Sequence, residues 1–190
     1  MIETERLILR KPRPEDAADL AVVYSDPEAV RYLGDGSTAT LAEVEEVIPQ
    51  WLGRWEDWGV GFFSLERRED GRVLGRAGFL RWDPATWQIG GDETELGWML
   101  GREHWGRGYA TEAALALRGW AIAERGLTRL ISLIQHGNVR SVRVAEKIGE
   151  RFERDVDVRG KPSWLYALTS VGSTELDKER RRRHARRRSG

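Results

Sequence analysis

The stretch HWGRGYATEA, residues 104–113, follows an apolar run, opens an alanine-rich segment and carries two glycines one residue apart. Glycines at a strand-to-helix turn let backbone N–H groups converge on one point and admit a ligand where a Cβ would collide. The first turn of the helix that follows contributes unpaired N–H donors and a partial positive charge. Arg107 adds a full charge beside them. These are the parts of a pyrophosphate cradle, and a G-x-G before a helix is also an ordinary way to make a tight turn.

On either side of the glycines the pattern is regular. TELGWML at 94–100 reads as a short strand, and ATEAALALRGWAIAER at 110–125 as an amphipathic helix ended by Gly126. LTRLISLI then reads as a buried strand. Asn138 caps a helix, VRSVRVAEKI, with Val142, Ala145 and Ile148 facing inward and Gly149 at its end. RFERDVDV and SWLYALTS form an antiparallel pair around the turn RGKP. Upstream, RLILRKP at 6–12 suits a first strand with Leu7 and Leu9 on one face, and PEDAADLAVVYSD a helix opened by Pro14. Residues 40–57 are helical, with Val44, Trp51 and Trp55 on one side and Pro49 expected to kink or divide them. GVGFFSLERREDGRVLGRAGFLRW is a hairpin turning at Asp70-Gly71, and DPATWQIGGDE a loop. The order β-α-α-β-β-β-α-β-α-β-β mixes one crossover with hairpins. It predicts an α+β fold in which helices flank a mixed, mostly antiparallel central sheet.

A chain of 190 residues suits one domain. We expect it to occupy residues 1–172, followed by an arginine-rich tail at 173–190 that is frayed or disordered. The absence of cysteine excludes disulfides, thiolate metal sites and cysteine nucleophiles, and three scattered histidines make a zinc cluster unexpected. The N-terminus is acidic where a signal peptide is basic, and no transmembrane span appears, so a cytoplasmic protein without membrane contact is expected. Formal net charge is zero, so the body without its tail is acidic, a mild hint toward a cationic substrate such as an amine. The tail's alternative use is a weak, salt-dependent contact with ribosomal RNA or another polyanion.

The run ELGWML, then HWGRGYATEA, then Asn138, Ser141, Lys147 and Gly149 of NVRSVRVAEKIG resembles the GNAT superfamily of acyl-CoA-dependent N-acyltransferases. More narrowly it is similar to the ribosomal-protein N-terminal acetyltransferase branch, the RimJ/RimL-like proteins. TERLILRKPRPEDA near the start and GERFERD with WLYAL near the end match that branch too, so the resemblance covers roughly residues 2–170. It implies splayed central strands and acetyl-CoA as cosubstrate, with no metal. The pyrophosphate would be held by the backbone of Arg107, Gly108, Tyr109, Ala110 and Thr111. The thioester would lie near Met99 and Leu100, and Asn138 would hydrogen-bond the cofactor. Relatives are monomers or homodimers. Trp105 stands where the family carries Gln or Arg, and Ala145 where many members carry the tyrosine that protonates the leaving thiolate. Ser141 is the replacement the branch suggests. Glu150 stands where the family carries an aromatic residue or methionine.

Attack on a thioester needs a neutral amine, and departure needs a proton for sulfur. Glu95, at the entry to the active strand, is the candidate base, with Asp92 and Glu93 competing for the role. Tyr166 is a second candidate donor. Glu112 is expected to complement a helix N-terminus, and neither His104 nor His136 falls on a family position. Trp55, Trp82 and Trp87 are candidates to line an acceptor groove. The expected activity is direct acetyl transfer from acetyl-CoA to a small-molecule or peptide amine. The alternatives are a non-catalytic acetyl-CoA-binding module and an RNA- or ribosome-associated protein acting through its tail.

Overall fold

The computed structural model describes residues 1–82 and 93–169. Their strands form one sheet in the order β1-β2-β3-β4-β5-β6-β8-β7. The strands are β1 (Ile2–Glu3), β2 (Leu7–Arg10), β3 (Phe62–Arg67), β4 (Val73–Trp82), β5 (Glu93–Leu100), β6 (Arg129–Gln135), β7 (Arg151–Val158) and β8 (Lys161–Thr169). Every neighbouring pair is antiparallel except β5 with β6, as the single crossover requires. The helices are α1 (Ala17–Tyr24), α2 (Pro27–Val30), α3 (Leu41–Trp58), α4 (Tyr109–Arg125) and α5 (Val139–Lys147). Strand β1 and helix α2 are additions to the sequence reading. Two residues of strand are too few to show a period, and α2 is a single turn started by Pro27 and capped by Asp26.

Helix α4 crosses one face of the sheet. Its Ala113, Ala114, Leu117 and Ala121 are sealed against Leu74, Ala77, Phe79, Leu96 and Leu130. The three alanines let its backbone approach the strands closely. On the opposite face Leu20 and Val23 of α1 and Val44, Ile48 and Trp51 of α3 cover Phe62, Val73 and Met99. Pro49 does not divide α3: the helix runs unbroken from a Thr40–Glu43 capping box to Gly59, which ends it in the left-handed conformation. Buried Val44, Ile48, Trp51 and Trp55 anchor both sides of the proline. Their packing outweighs the one backbone bond it removes.

Glu150, between α5 and β7, is fully buried, and neither carboxyl oxygen has a well-formed hydrogen bond among the described residues. Burial, only partly offset by the Ser132 hydroxyl and reinforced by the charge of Glu95, pushes its pKa up to about 8. The unfolded chain releases this proton near 4.5, whereas the native state keeps it until about 8. Between those values the unfolded state binds fewer protons, so rising pH costs stability. Chemical unfolding of the wild type should therefore show stability falling from pH 5 to 8. Glu150→Gln should remove that contribution to the slope and be more stable at pH 8 by on the order of 2–4 kcal/mol.

Candidate functional site

Strands β5 and β6 pair at one position, Glu95 with Ile131, and then diverge. The Gly101 N–H bonds the Leu74 carbonyl, which sets the parity of the β4–β5 ladder. The backbone groups of Glu95, Gly97 and Met99 are thereby turned to β4, and those of Leu96, Trp98 and Leu100 to the gap. Two side chains cap the exposed edge. Ser132 Oγ donates to the Leu96 carbonyl at 2.7 Å, and the Trp105 indole N–H donates to the Leu100 carbonyl at 2.9 Å. Trp98 lies between them with its backbone facing the gap.

The edge forms one wall of a cleft of about 440 Å³, whose other walls include Trp105, Ala110, Asn138 and Ser141. Met99 and Leu100 both line it. The parity separates their parts: the Met99 side chain packs toward α1 and α3, while the Leu100 backbone belongs to the open edge.

At the mouth, Gly106 and Gly108 have φ of 74° and 85°. Both are left-handed, a region other residues enter at a cost of about 1 kcal/mol or more. Gly108 is the N-cap of α4, and no side chain among the described residues caps the terminus. The N–H groups of Tyr109, Ala110 and Thr111 therefore lie at an uncapped positive helix end. Arg6 fixes the turn: it donates to the Arg107 carbonyl at 2.9 Å and stacks 4.4 Å over the Tyr109 ring. Glu112 accepts from Thr4 Oγ1, the Arg6 N–H and Arg6 Nε at 2.6, 2.9 and 2.7 Å. Burial works to raise its pKa, but these bonds prevail and hold it below the usual carboxylate value. Glu112 is a clamp between the first strands and the helix. The exposed Arg107 brings a cation to the turn, and Arg140 stacks 4.2 Å from Trp105.

On the α1/α3 face Glu95 is partly buried, and its Oε2 accepts the Trp82 indole N–H at 2.7 Å. Burial raises its pKa, opposed by that hydrogen bond and by the charge of Arg76. Glu93 is committed elsewhere. Arg129 donates to both its oxygens at 3.0–3.2 Å and also holds Glu153. Across the cleft, Asn138 Oδ1 accepts the Ser141 N–H at 3.2 Å, so the cap orients Ser141. Tyr166 packs with Ile134 and Ala145, and burial raises its pKa. His104 is buried edge-on to Tyr109, and His136 stacks on Trp164 while pairing with Asp155. Trp55 is not a groove wall. It packs on Phe63 and donates to the Phe62 carbonyl. Trp87, Asp92, the loop around them and the arginine tail lie outside the described residues.

Residues 6–151 match the family model described as an acetyltransferase (GNAT) domain. The chain belongs to the GNAT acetyltransferases. It is 32% identical over 169 residues to YkkB of Bacillus subtilis strain 168, a protein of uncharacterized activity, covering 88% of this chain and 94% of that one. The crystal structure of an acetyltransferase from Agrobacterium tumefaciens strain C58 superposes with a TM-score of 0.74 at 30% identity, covering 89% of this chain and 94% of that one. RimL, a ribosomal L7/L12 α-N-protein acetyltransferase solved with coenzyme A, shares the fold at 14% identity, with a TM-score of 0.73 over 88% of this chain and 96% of that one.

As a GNAT protein the chain is an acyltransferase, and its α+β fold with a mostly antiparallel sheet is as the sequence predicted. Two features of this GNAT site escaped the sequence reading. The Trp105–Leu100 bond depends on where an indole N–H points, which no motif states. Arg76 carries a signal that went unused: a charge inside the apolar strand VLGRAGF. Trp105→Phe keeps a ring beside Arg140 and leaves the Leu100 carbonyl unpartnered. It should lower unfolding free energy by about 1 kcal/mol in urea titration, and Trp105→Leu by more because the stacking goes as well.

Proposed function

We propose that this protein transfers an acetyl group from acetyl-CoA directly to an amine, the finer reading being the α-amine of a peptide or a small molecule, as in the RimJ/RimL-like branch. One observation carries the reading: the single-residue pairing of β5 with β6, which leaves the Trp98 edge open beside an uncapped helix end with two left-handed glycines. The residues present fit the cosubstrate. The edge backbone of Trp98 suits an amide-bearing arm, and the N–H groups of residues 109–111 with Arg107 suit a pyrophosphate. When bound, acetyl-CoA supplies an activated acyl carbon and a thiolate leaving group.

The chain's own residues then have defined tasks. Glu95 accepts a proton from the incoming ammonium, directly or through one water, so that the nitrogen lone pair is free to bond the acyl carbon. Ser141 donates its hydroxyl proton to sulfur as the C–S bond breaks and takes in return, directly or through water, the second proton that the nitrogen gives up as the amide forms. Asn138 holds Ser141 in place and keeps its amide N–H groups for the cosubstrate. No residue forms a covalent acyl-enzyme. An α-amine, with a reference pKa near 8, asks less of Glu95 than a lysine side chain near 10.4. The difference is roughly 3 kcal/mol near pH 7.

Titration calorimetry with acetyl-CoA should give micromolar binding by the wild type. Gly108→Val forces a β-branched residue into the left-handed region at the cradle and should weaken that binding at least tenfold; equal affinity in the two proteins would overturn the assignment of the cradle.

Glu95→Gln should lower kcat by about 10²–10³ while leaving acetyl-CoA affinity within a few-fold. The wild type requires the ionised carboxylate, and burial raises its pKa, so kcat/KM should climb with pH through a value above 4.5. That limb should disappear in the variant.

A further inference from the structure

Two arginines meet on the α1/α3 face of the sheet, and neither makes a salt bridge among the described residues. Arg76 of β4 is buried, with its guanidinium 3.9 Å from the centre of the Phe62 ring and 5.4 Å from that of Trp51. Its Nε donates to the Tyr24 hydroxyl at 2.6 Å. Its two terminal nitrogens have no hydrogen-bond partner among the described residues. Arg54 of α3 approaches the same ring to 6.0 Å. It is half-buried and makes no ion pair or hydrogen bond among the described residues. Burial and the charge of Arg76 both lower its pKa. Two like charges taken out of water beside each other are costly unless an anion joins them.

The pair lies on the same face of the sheet as Glu95, four residues along the strands from it. Arg76 is opposite Met99, and Leu80 is opposite Glu95, on the same strands and the same face. Midway between them Gly97 leaves the sheet bare: a Cβ there would meet only Glu95 Oε1, at 3.8 Å. A side-chain-free step thus runs from the carboxylate of Glu95 toward the two arginines, and the Arg76 charge already acts on Glu95. Tyr24, whose oxygen serves Arg76, keeps its own O–H to donate. A carboxylate is the group that the guanidinium fork and a phenol together recognise.

We infer that Arg76 and Arg54, with Tyr24, form an anion-binding subsite of the acceptor groove, and that the acceptor is an amine bearing a carboxylate. The inference rests on the acetyl-transfer reading above. The carboxylate belongs to a free amino acid or to an acidic residue next to a peptide's N-terminus; both present the same chemistry to the arginines.

The test compares matched acceptors at saturating acetyl-CoA. One arm sets α- through ω-amino acids against their carboxamides, the other Ala-Asp and Ala-Glu dipeptide amides against Ala-Asn and Ala-Gln. The acid member of a pair should be preferred at least tenfold in kcat/KM, and the arm showing it identifies the source. Arg76→Gln should bring acid and amide to near parity in kcat/KM, chiefly by raising KM for the acid, so the readout is the acid-to-amide ratio and not the absolute rate. Arg76→Lys should keep part of the preference, and Arg54→Gln, at a half-buried position, should reduce it in a protein whose fold is not in question. Titration of the CoA-loaded protein with the N-acetylated acids and amides reads the same preference without turnover. Equal use of acids and amides, a preference that survives both glutamine variants, or no binding of any acid by a protein that binds acetyl-CoA would overturn the subsite. Failure to bind acetyl-CoA itself would instead remove the acetyl-transfer reading, and the subsite with it.

Discussion

A parallel strand pair that ends after one position leaves backbone donors and acceptors facing a gap, and everything at this site follows from how those groups are satisfied. An unpaired buried peptide group is costly to leave. Ser132 and Trp105 each take one carbonyl of the β5 edge, at Leu96 and Leu100. They bracket Trp98 and so fix both the length and the position of the stretch left for a ligand. Trp105 belongs to the glycine turn itself, so its indole ties the turn to the edge and makes the two halves of the cleft one rigid object. Arg6 and Glu112 fix the same turn from the other side through β1 and β2. The turn is therefore held in place before any ligand arrives, and a preorganised cradle spends less of its interaction energy on ordering the loop.

The two faces of the sheet serve different ends. The α4 face is apolar, packed with alanines and leucines, and positions the glycine turn. The α1/α3 face mixes apolar packing with Arg76, Tyr24 and Glu95, and its one bare position, Gly97, lies at the centre of the strand that borders the gap. A single strand thus presents backbone to the gap and, on the α1/α3 face, a carboxylate at Glu95. The alternation of strand side chains gives that division of labour without any further element.

Patterns that repeat along the chain were legible in the sequence. The glycine pair, the α4 period closed by Gly126, the Asn138 cap and the hairpin at Asp70-Gly71 each carry their physics in consecutive residues, and each stands where it was read. Contacts between distant segments were not legible. Arg54 and Arg76 are joined only because α3 lies over β3 and β4. Trp55 was read toward a groove and packs in the core, since helix periodicity gives a face but not what that face meets. Pro49 was weighted by its local cost, and four buried neighbours decided otherwise. Glu150 follows a helix-ending glycine, where an exposed carboxylate would be ordinary. Its complete burial beside Ser132 of β6, within reach of the charge of Glu95 on β5, joins segments far apart in the chain.

That burial bears on the chemistry. Glu150 and Glu95 disfavour one another's ionisation, and with a pKa near 8 Glu150 is mostly neutral at pH 7. A neutral neighbour leaves Glu95 to be set by four influences: burial upward, and the Trp82 indole N–H, the Arg76 charge and the Leu133 backbone N–H downward. A base for an ammonium proton must be ionised at working pH and yet hold a proton more tightly than an open carboxylate does. Desolvation alone would leave it protonated, and full exposure would leave it weak. Both kinds of influence act on Glu95: burial raises its pKa, a buried carboxyl that stays neutral adds no repulsion, and Arg76 supplies attraction from the side on which an anionic acceptor would sit. An acceptor carboxylate reaching Arg76 would offset that attraction and make Glu95 a stronger base when the amine is in place. Binding and proton transfer would then be coupled through one guanidinium, with no movement of the backbone required.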